Sequence, residues 1–412
     1  MKLKKGHPTQ PEQEGISGYL GFSQNELQQK GAFFTAREIA QQPDLWIKTW
    51  NLVASQKDSL ASFLREAFAH DSLSVILTGA GTSAYIGDVL QGPFQKNTGR
   101  QTMAIPTTDL ISHPAHYFNA NTNLLISFAR SGDSPESVAA LQLADVFSQK
   151  TYHLIITCNP KGKLALSKET ANSRVLVFLL PPEADDQSLA MTGSFTSMLL
   201  AGLLISRIRE VQELERQVSR LCDYADNILN NYREKLREAA KLGFERAIFL
   251  GSGPLRSVAN ESDLKVQELT DGKVICKFDS FLGFRHGPKA VINPYTLMVY
   301  LFSNDKYVYQ YERDLINDIE AGEKGLFSIG VTETRNSDVN TNLLIVLSED
   351  GNKVDEEFLS VCSVLPAQIL GFYKSLEFGL KPDSPSENAT ITRVVKGVFI
   401  YPFSCNGKHA GK

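Results

Sequence analysis

The stretch "LLISFARSGDSPESVAALQLA", residues 124–144, joins an apolar run to a cluster of small polar residues and a proline. The apolar residues at 124–128 predict a buried strand, and the apolar spacing after Pro135 predicts a helix. Proline is favoured at the first helical position and serine at the N-cap, which makes Ser134 the predicted N-cap. The stretch therefore indicates a buried strand that ends in a polar turn and leads into a helix.

Similar apolar runs recur along the chain, with helix-like segments between them. They occupy residues 73–79, 122–128, 152–158 and 174–180 in the first half, and residues 246–253, 296–305, 324–332 and 341–349 in the second. Near-continuous Val- and Ile-rich runs suit strands buried on both faces of a parallel sheet, and their alternation with helices is typical of βαβ units. Because "SVILTGAG" and "RAIFLGSG" both end in Gly-x-Gly, we predict a duplicated α/β unit.

Helical segments complete the organisation. Residues 24–70 are predicted to be helical, with Trp46 and Trp50 in core or interface packing, and longer helical regions are predicted at 188–242 and 356–379. The expected fold class is α/β, with two αβα sandwiches around parallel sheets and a helical N-terminal extension. The expected boundaries are 1–70 for the N-terminal arm and helices, 71–217 and 218–380 for the two α/β domains, and 381–412 for a tail that contributes to the active site.

Composition excludes several classes of partner. The 412 residues carry a net charge of −4 and no basic stripe, so we expect no nucleic-acid partner. No apolar run reaches the roughly 20 residues that a membrane span needs, so we expect no membrane association. The first residues, "MKLKKGHPTQPEQEG", are basic and polar but lack the apolar core of a signal peptide. We therefore expect a loose N-terminal arm and a cytoplasmic protein.

Cysteine and histidine spacing gives no metal or disulfide pattern. The cysteines are scattered, contain no CxxC pair and predict free thiols in a reducing compartment; they are Cys158, Cys222, Cys276, Cys362 and Cys405. Cys158 and Cys276 lie in apolar runs and are predicted to be small core residues. His113 and His116 form an H-x-x-H pair, but the pair contains proline and no carboxylate follows it, so we predict no metal site.

Two polar turns are candidates for anion binding. In open α/β sheets, ligands bind where strands end, and helix N-termini favour anions such as phosphate. The residues that would hold the anion are Gly81, Thr82 and Ser83 in the first turn, and Ser131, Gly132, Ser134 and Ser137 in the second. Arg130 is a candidate positive partner, although a solvent-exposed salt bridge would also explain it, and Asp133 must point away. The alternative is that these serines only cap helices; two such turns on successive strands favour a site.

Acid–base candidates lie in the second half. Glu261, Lys265 and Glu268 fall at i, i+4 and i+7, on one face of a predicted helix. They form either a catalytic group or an exposed ladder of ion pairs. His286, between Arg285 and Gly287-Pro288, has the most organised context of the histidines, and imidazole can transfer protons near neutral pH.

Together these segments resemble the SIS (sugar isomerase) family. The resemblance rests on "GAGTSAY" (79–85), "SFARSGDSPES" (127–137), "KVQEL" (265–269) and "FRHGP" (284–288). Their order is similar to that in the isomerase half of glucosamine-6-phosphate synthase, which has two SIS domains. More closely, "ISFARSGDSPESVAAL" and "FLGFRHGP" resemble the AgaS group of galactosamine-6-phosphate deaminase/isomerases (tagatose-6-phosphate ketose/aldose isomerases). The resemblance implies two SIS domains and an enzyme that acts on a phosphorylated amino sugar.

The resemblance also implies residue roles. Residues 131–137 would hold the phosphate, and residues 81–83 would contact the sugar and the phosphate. Glu268 would be the base that moves a proton between C1 and C2, with Lys265 beside it. His286 would assist ring opening and be donated by the partner subunit of a homodimer. Ala190, in "LAMTGSFT" (189–196), would line the sugar pocket.

The implied reaction deaminates and isomerises a hexosamine 6-phosphate and needs no metal or redox cofactor. The resemblance alone points to galactosamine 6-phosphate as the substrate and tagatose 6-phosphate as the product. Two alternatives stay open: a non-catalytic phosphosugar sensor, and a different phosphosugar isomerase or deglycase. The chain departs from the synthase at Ala129-Arg130, where the synthase has Ser-Gln, which makes this pair a candidate for substrate choice. The tail residues Thr390, Thr392 and Arg393 have no clear counterpart there.

Overall fold

The computed structural model describes residues 18–335, 338–393 and 397–403. The predicted N-terminal arm (1–15) and Cys405 lie outside the described residues. The described chain begins with β1 (Gly18–Tyr19), β2 (Phe22–Ser23), α1 (Gln24–Gln29), α2 (Phe33–Ala40), α3 (Gln42–Ser55) and α4 (Lys57–Phe68). Trp46 is fully buried and its Nε1 donates to Thr196 Oγ1 at 3.0 Å. The predicted helices over 24–70 and the packing role of Trp46 are confirmed.

The first half forms a parallel sheet. Its elements are β3 (Ser74–Thr78), α5 (Thr82–Thr98), β4 (Thr102–Ala104), α6 (Thr107–Ser112), α7 (Pro114–Tyr117), β5 (Thr122–Ala129), α8 (Pro135–Phe147), β6 (Lys150–Thr157) and β7 (Ser173–Leu179). The strand order is β4-β3-β5-β6-β7, and every pairing is parallel. Every residue of β5 is buried, as predicted for a strand covered on both faces.

The region predicted as one long helical stretch at 188–242 is a series of helices. It contains α9 (Gly193–Ser206), α10 (Glu215–Asn227), a π-helical turn (Ile228–Tyr232) and α11 (Arg233–Ala240). α9 is buried along its whole length, whereas α10 and α11 bury one face and expose their charges. This series leads from the first sheet to the second.

The second half repeats the architecture. Its elements are β8 (Arg246–Gly251), α12 (Pro254–Leu269), β9 (Ile275–Ser280), α13 (Phe281–Phe284), β10 (Thr296–Leu301), α14 (Lys306–Ala321), β11 (Phe327–Thr332), β12 (Leu343–Val346), α15 (Glu356–Cys362) and α16 (Leu365–Glu377). The strand order is β12-β11-β10-β8-β9, again entirely parallel. The predicted α/β class and the two sheets are confirmed. The domain boundaries at 70, 217 and 380 stay predictions.

Backbone geometry at the two Gly-x-Gly turns supports the duplication. Gly81 precedes α5 with φ 56° and ψ −131°, and Gly253 precedes α12 with φ 53° and ψ −127°. Positive φ is a conformation that glycine adopts at little cost. α5 and α12 pack against each other and join the two halves.

The segment Glu356–Glu377 is long and apolar enough to cross a membrane by composition, with mean hydropathy 1.2. Within the protein, 94% of the 18-residue window that has this hydropathy is buried, as expected of a core helix, and α16 packs on α12. The apolar end of the tail, "VVKGVFIYP" (394–402), predicts a β-like run. In the described part of that run, residues 397–402, the backbone forms no strand, because no neighbouring strand pairs with it.

Candidate active site

The two predicted anion-binding turns lie side by side. Strands β3 and β5 are parallel neighbours with Thr78 opposite Ser127, so the turns that follow them meet at one edge of the sheet. In the first turn, a Cβ on Gly79 would lie 2.5 Å from the carbonyl oxygen of Ser83, so this position requires glycine. Gly81 is exposed, while Ser83 is buried.

The second turn has the predicted capping geometry. Ser134 is the N-cap of α8: its Oγ accepts from the amide of Ser137 at 3.2 Å and lies 2.7 Å from Ser137 Oγ. Gly132 has φ 67°. Asp133 points away from the helix, because its Oδ1 accepts from the amide of Lys163 at 3.0 Å. The carboxylate that would repel a phosphate is thus directed to another loop.

The turn after β10 corresponds to the turn after β5, because the two strands hold the same place in their sheets. Carboxylate side chains of the protein itself occupy it. The amide of Ser303, after β10, donates to Glu312 Oε2 at 3.0 Å, and Asn304 Nδ2 donates to Glu333 Oε2 at 2.8 Å. Glu312 is fully buried, and burial raises its pKa to about 7. Carboxylates therefore occupy the position where an anion would bind, which leaves the first sheet as the candidate phosphate site.

Three charged residues of α12 form a buried cluster next to the first turn. Lys265 Nζ lies 2.6 Å from Glu268 Oε2 and 3.3 Å from Glu261 Oε1. The same ammonium donates to Thr82 Oγ1 at 3.1 Å. Lys265 and Glu261 are fully buried, and the Glu268 side chain is 23% exposed. The exposed ladder of ion pairs is therefore wrong, because α5 covers this face of α12.

The electrostatics of the cluster follow from that burial. Burial raises the pKa of Glu261 to about 8, although Lys265 opposes the change. Burial acts to lower the pKa of Lys265, but Glu261 and Glu268 together raise it above its ordinary value. Lys265 therefore stays charged and holds Glu268, the partly exposed carboxylate, at the edge where α5 begins.

Within one chain, His286 does not lie beside Glu268. Phe281 and Phe284, just before it, pack with Ile248 and Leu250 in one hydrophobic cluster. The α12 residues pack with Ala247 and Phe249 in another, and neighbouring residues of a strand face opposite sides of a sheet. Within one chain, the segment leading to His286 and the helix carrying Glu268 thus lie on opposite faces of the second sheet. His286 itself is exposed.

Arg130 and Ala190 are buried near the second turn, and Ala190 belongs to the loop 185–192 that precedes α9. Arg130 is 7% exposed, so it does not form a solvent-exposed salt bridge, and its guanidinium donates to the carbonyls of Ser188, Leu189 and Arg393. Ala190 is fully buried. Of the predicted tail residues, Arg393 has a described contact with this loop, through Asp186.

The sequence did not identify Glu38 and Asp186, which hold this loop. Glu38 is fully enclosed, and burial followed by the charge of Asp186 raises its pKa to about 8. Its Oε1 accepts from the amide of Gln187 at 2.6 Å, a contact between residues 149 positions apart. No local pattern could have indicated it. Glu261, in contrast, was visible four residues before Lys265, although its burial was not.

The described cysteines, Cys158, Cys222, Cys276 and Cys362, are free thiols as predicted. Cys158 is buried, whereas Cys276 is only partly covered because β9 is an edge strand. Among the described residues, no group of three or more His, Cys, Asp or Glu side chains is arranged to hold a metal ion.

Comparison with known proteins identifies the family of this chain. No protein-family model matches it. It is 39% identical over 400 residues to D-galactosamine-6-phosphate deaminase AgaS of Shewanella sp. (strain ANA-3), an alignment that covers 96% of this chain and 98% of that protein. The chain belongs to the AgaS family. This confirms the resemblance on which the residue roles were based.

Solved structures agree with membership of the AgaS family. A structure from Clostridium novyi NT superimposes with a TM-score of 0.91 at 38% identity, covering 94% of this chain and 100% of that one. Tagatose-6-phosphate ketose/aldose isomerase from Escherichia coli superimposes with a TM-score of 0.81 at 35% identity, covering 90% and 97%. The chain thus shares its fold with these two proteins over nearly their whole length.

Proposed function

We propose that this AgaS-family enzyme converts galactosamine 6-phosphate to tagatose 6-phosphate and ammonia, in the breakdown of amino sugars. The observation that carries the proposal is the contact of Lys265 Nζ with both Thr82 Oγ1 and Glu268 Oε2. It sets a partly exposed carboxylate beside the polar turns of the first sheet. The relative from Shewanella is named as a D-galactosamine-6-phosphate deaminase, which supports the choice of substrate.

In the proposed mechanism, residues Ser131, Ser134 and Ser137 hold the phosphate, with the amides at the start of α8. Gly81 and Ser83 contact the sugar, and Ala190 lines its pocket. Glu268 takes the proton from C2 of the open-chain amino aldose and returns it at C1, through an enolamine. The product is a ketimine, to which water adds at C2 as ammonia leaves. The ammonium of Lys265 stabilises negative charge that develops on the substrate.

His286 is proposed to open the sugar ring from the partner subunit of a homodimer. The separation of its segment from α12 by the second sheet supports this, because the two groups do not meet within one chain. The loop that carries His286 is exposed, with Leu282 50% exposed beside it. A symmetric pair of subunits could therefore place each His286 in the other's site.

Mixing two inactive variants tests that arrangement. Glu268→Gln and His286→Ala are each expected to be inactive, and co-expression should restore about one quarter of wild-type ammonia release, since half of the dimers are mixed and each has one intact site. Mixing Glu268→Gln with itself under a second tag is the control. An absence of recovery in purified mixed dimers would contradict donation by the partner.

Ammonia release from three substrates tests the reaction itself. We expect kcat/KM for galactosamine 6-phosphate to exceed that for glucosamine 6-phosphate and fructosamine 6-phosphate by at least about tenfold. Glucosamine 6-phosphate has the other hydroxyl configuration at C4, and fructosamine 6-phosphate carries its amine at C1 and its carbonyl at C2, so each fits a site for galactosamine 6-phosphate less well. Preference for fructosamine 6-phosphate would indicate a deglycase. Binding of all three without ammonia release would indicate a sensor and would refute the proposed enzyme.

We also propose a cytoplasmic location and a reaction that requires no metal or redox cofactor. The free thiols of the described cysteines are what support a reducing compartment. Proton transfer by a carboxylate and hydrolysis of a ketimine need only the side chains named above and water. Ammonia release that persists after dialysis against a chelator is the expected result.

A further inference from the structure

Arg130 connects three segments around the candidate phosphate turn. Its Nη1 donates to the carbonyls of Ser188 and Leu189, both at 3.3 Å. Its Nη2 donates to the carbonyl of Arg393 at 2.6 Å. The end of β5, the 185–189 loop and the C-terminal tail are thus joined by one side chain.

The 185–189 loop depends on such distant partners. It lies outside helices and strands, and Ser188 is fully buried, so its backbone groups need hydrogen bonds from elsewhere. The amides of Gln187 and Ser188 donate to Glu38, at 2.6 and 3.3 Å. The amide of Leu189 donates to the carbonyl of Asp383, in the tail, at 3.0 Å. Arg130 donates to carbonyl oxygens of the same loop, those of Ser188 and Leu189.

Arg393 holds the other end of the same loop. Its Nε donates to the carbonyl of Asp186 at 2.9 Å, and its Nη2 lies 2.7 Å from Asp185 Oδ1. The carboxylate of Asp186 accepts from the amides of Thr192 and Ser194 at the start of α9. Arg130 and Arg393 therefore both hold the 185–189 loop, and the residue that follows it, Ala190, is proposed to line the sugar pocket.

We propose that Arg130 is a positioning residue: it fixes the 185–189 loop and the tail against the phosphate turn and does not itself bind the phosphate. For the identity of the ligand, the inference rests on the proposed function. Both terminal nitrogens of Arg130 already donate to carbonyls, and the side chain is 7% exposed. Turning the guanidinium toward a phosphate would leave three carbonyls without this donor, which is costly in a buried region.

This role gives the Ala129-Arg130 pair a meaning for substrate choice. Glutamine, which the synthase has at the position of Arg130, carries only two N–H donors on a shorter side chain and cannot reach three carbonyls in the same way. The arginine therefore fixes a loop position that glutamine would not. The pocket wall around Ala190, rather than the phosphate contact, is where the two kinds of site differ.

Hydrogen exchange measured by mass spectrometry on the full chain tests the proposal. In Arg130→Gln, we expect exchange in residues 185–189 and 383–393 to increase together by about tenfold or more, because charged hydrogen bonds are lost from both segments. The dissociation constant of inorganic phosphate should change by less than about threefold, while KM for galactosamine 6-phosphate rises by about tenfold with a smaller change in kcat. Arg130→Lys should restore part of each effect.

A second test variant and a control variant complete the experiment. Arg393→Gln should increase hydrogen exchange in the same two segments. If Arg130→Gln does not fold, this variant tests whether the arginine contacts fix the 185–189 loop and the tail. Arg313→Gln, which removes a half-buried arginine of α14 that pairs with Asp314 and with Asp338, is the control and should alter neither segment. Phosphate binding weakened by about tenfold or more in Arg130→Gln would overturn the proposal, as would unchanged exchange in folded variants. If the wild type releases no ammonia, the proposed function fails while the exchange and phosphate results still judge Arg130.

Discussion

Replacing Glu268 with glutamine is expected to lower kcat for ammonia release by about 10²–10⁴-fold, the contribution typical of a positioned acid–base group. Glutamine keeps the shape of the side chain but cannot accept and return a proton. The phosphate-holding residues are on a different element, so the dissociation constant for galactosamine 6-phosphate should change little. An ammonia assay and calorimetric titration, performed on the same preparation, measure the two quantities.

Glu238→Gln provides a matched control for this experiment. Glu238 forms an ion pair with Lys241 at 2.6 Å with i, i+3 spacing, the same distance and spacing as the Lys265–Glu268 pair. Its side chain, however, is 67% exposed on α11, far along the chain from the turns. The control should retain wild-type kcat. If Glu268→Gln retained more than about a tenth of the wild-type kcat, Glu268 could not be the base.

The sequence predicted the strands that have continuous apolar runs, including the edge strands β7 and β12, and missed β4 and β9. β3, β5, β6 and β7 were anticipated within about two residues, because a continuous apolar run distinguishes a strand of a parallel sheet from a loop. β4 has only three residues, and β9 ("ICKFDS") lies at an edge with polar residues along its length. Neither has enough apolar sequence to be distinguished from a loop.

For the site, the predictable features were local and the unpredictable ones were tertiary. The Ser134 cap and the shared face of Glu261, Lys265 and Glu268 follow from spacings of a few residues. The contact of Lys265 with Thr82 joins residues 183 positions apart, and that of Arg130 with Arg393 joins residues 263 positions apart. Such pairs depend on how α5, α12 and the tail pack, which no local pattern encodes.

Replacing Lys265 with methionine is expected to destabilise the protein as well as inactivate it. Methionine fills a similar volume but leaves Glu261, which is fully buried, without its cation and facing Glu268. Where Glu261 is ionised, above its pKa of about 8, removing one partner of a buried ion pair costs about 3–5 kcal/mol. The loss of the ammonium also releases Glu268 from its 2.6 Å contact, so turnover should fall with stability.

This cost should depend on pH, with a definite sign. Glu261 has a pKa of about 8 in the folded protein against 4.5 for the free side chain. The folded state therefore keeps the proton of Glu261 to higher pH than the unfolded chain does. For this reason the contribution of Glu261 to the free energy of unfolding falls as the pH rises from 4.5 to 8. Without Lys265 the carboxylate is still harder to ionise, so the loss extends to higher pH. Lys265→Met should thus be more destabilised relative to wild type at pH 9 than at pH 6.

The double variant Lys265→Met/Glu261→Gln separates the charge effect from a packing effect. Thermal unfolding followed at pH 6 and pH 9 should show that the second substitution recovers most of the stability lost at pH 9, because no buried carboxylate then lacks a cation. Turnover should not recover, since Glu268 still lacks its partner. Lys241→Met, at the exposed pair on α11, should be nearly neutral at both pH values. A loss in Lys265→Met that is equal at both pH values, and is not relieved by the second substitution, would mean that packing rather than the buried charge of Glu261 sets the cost.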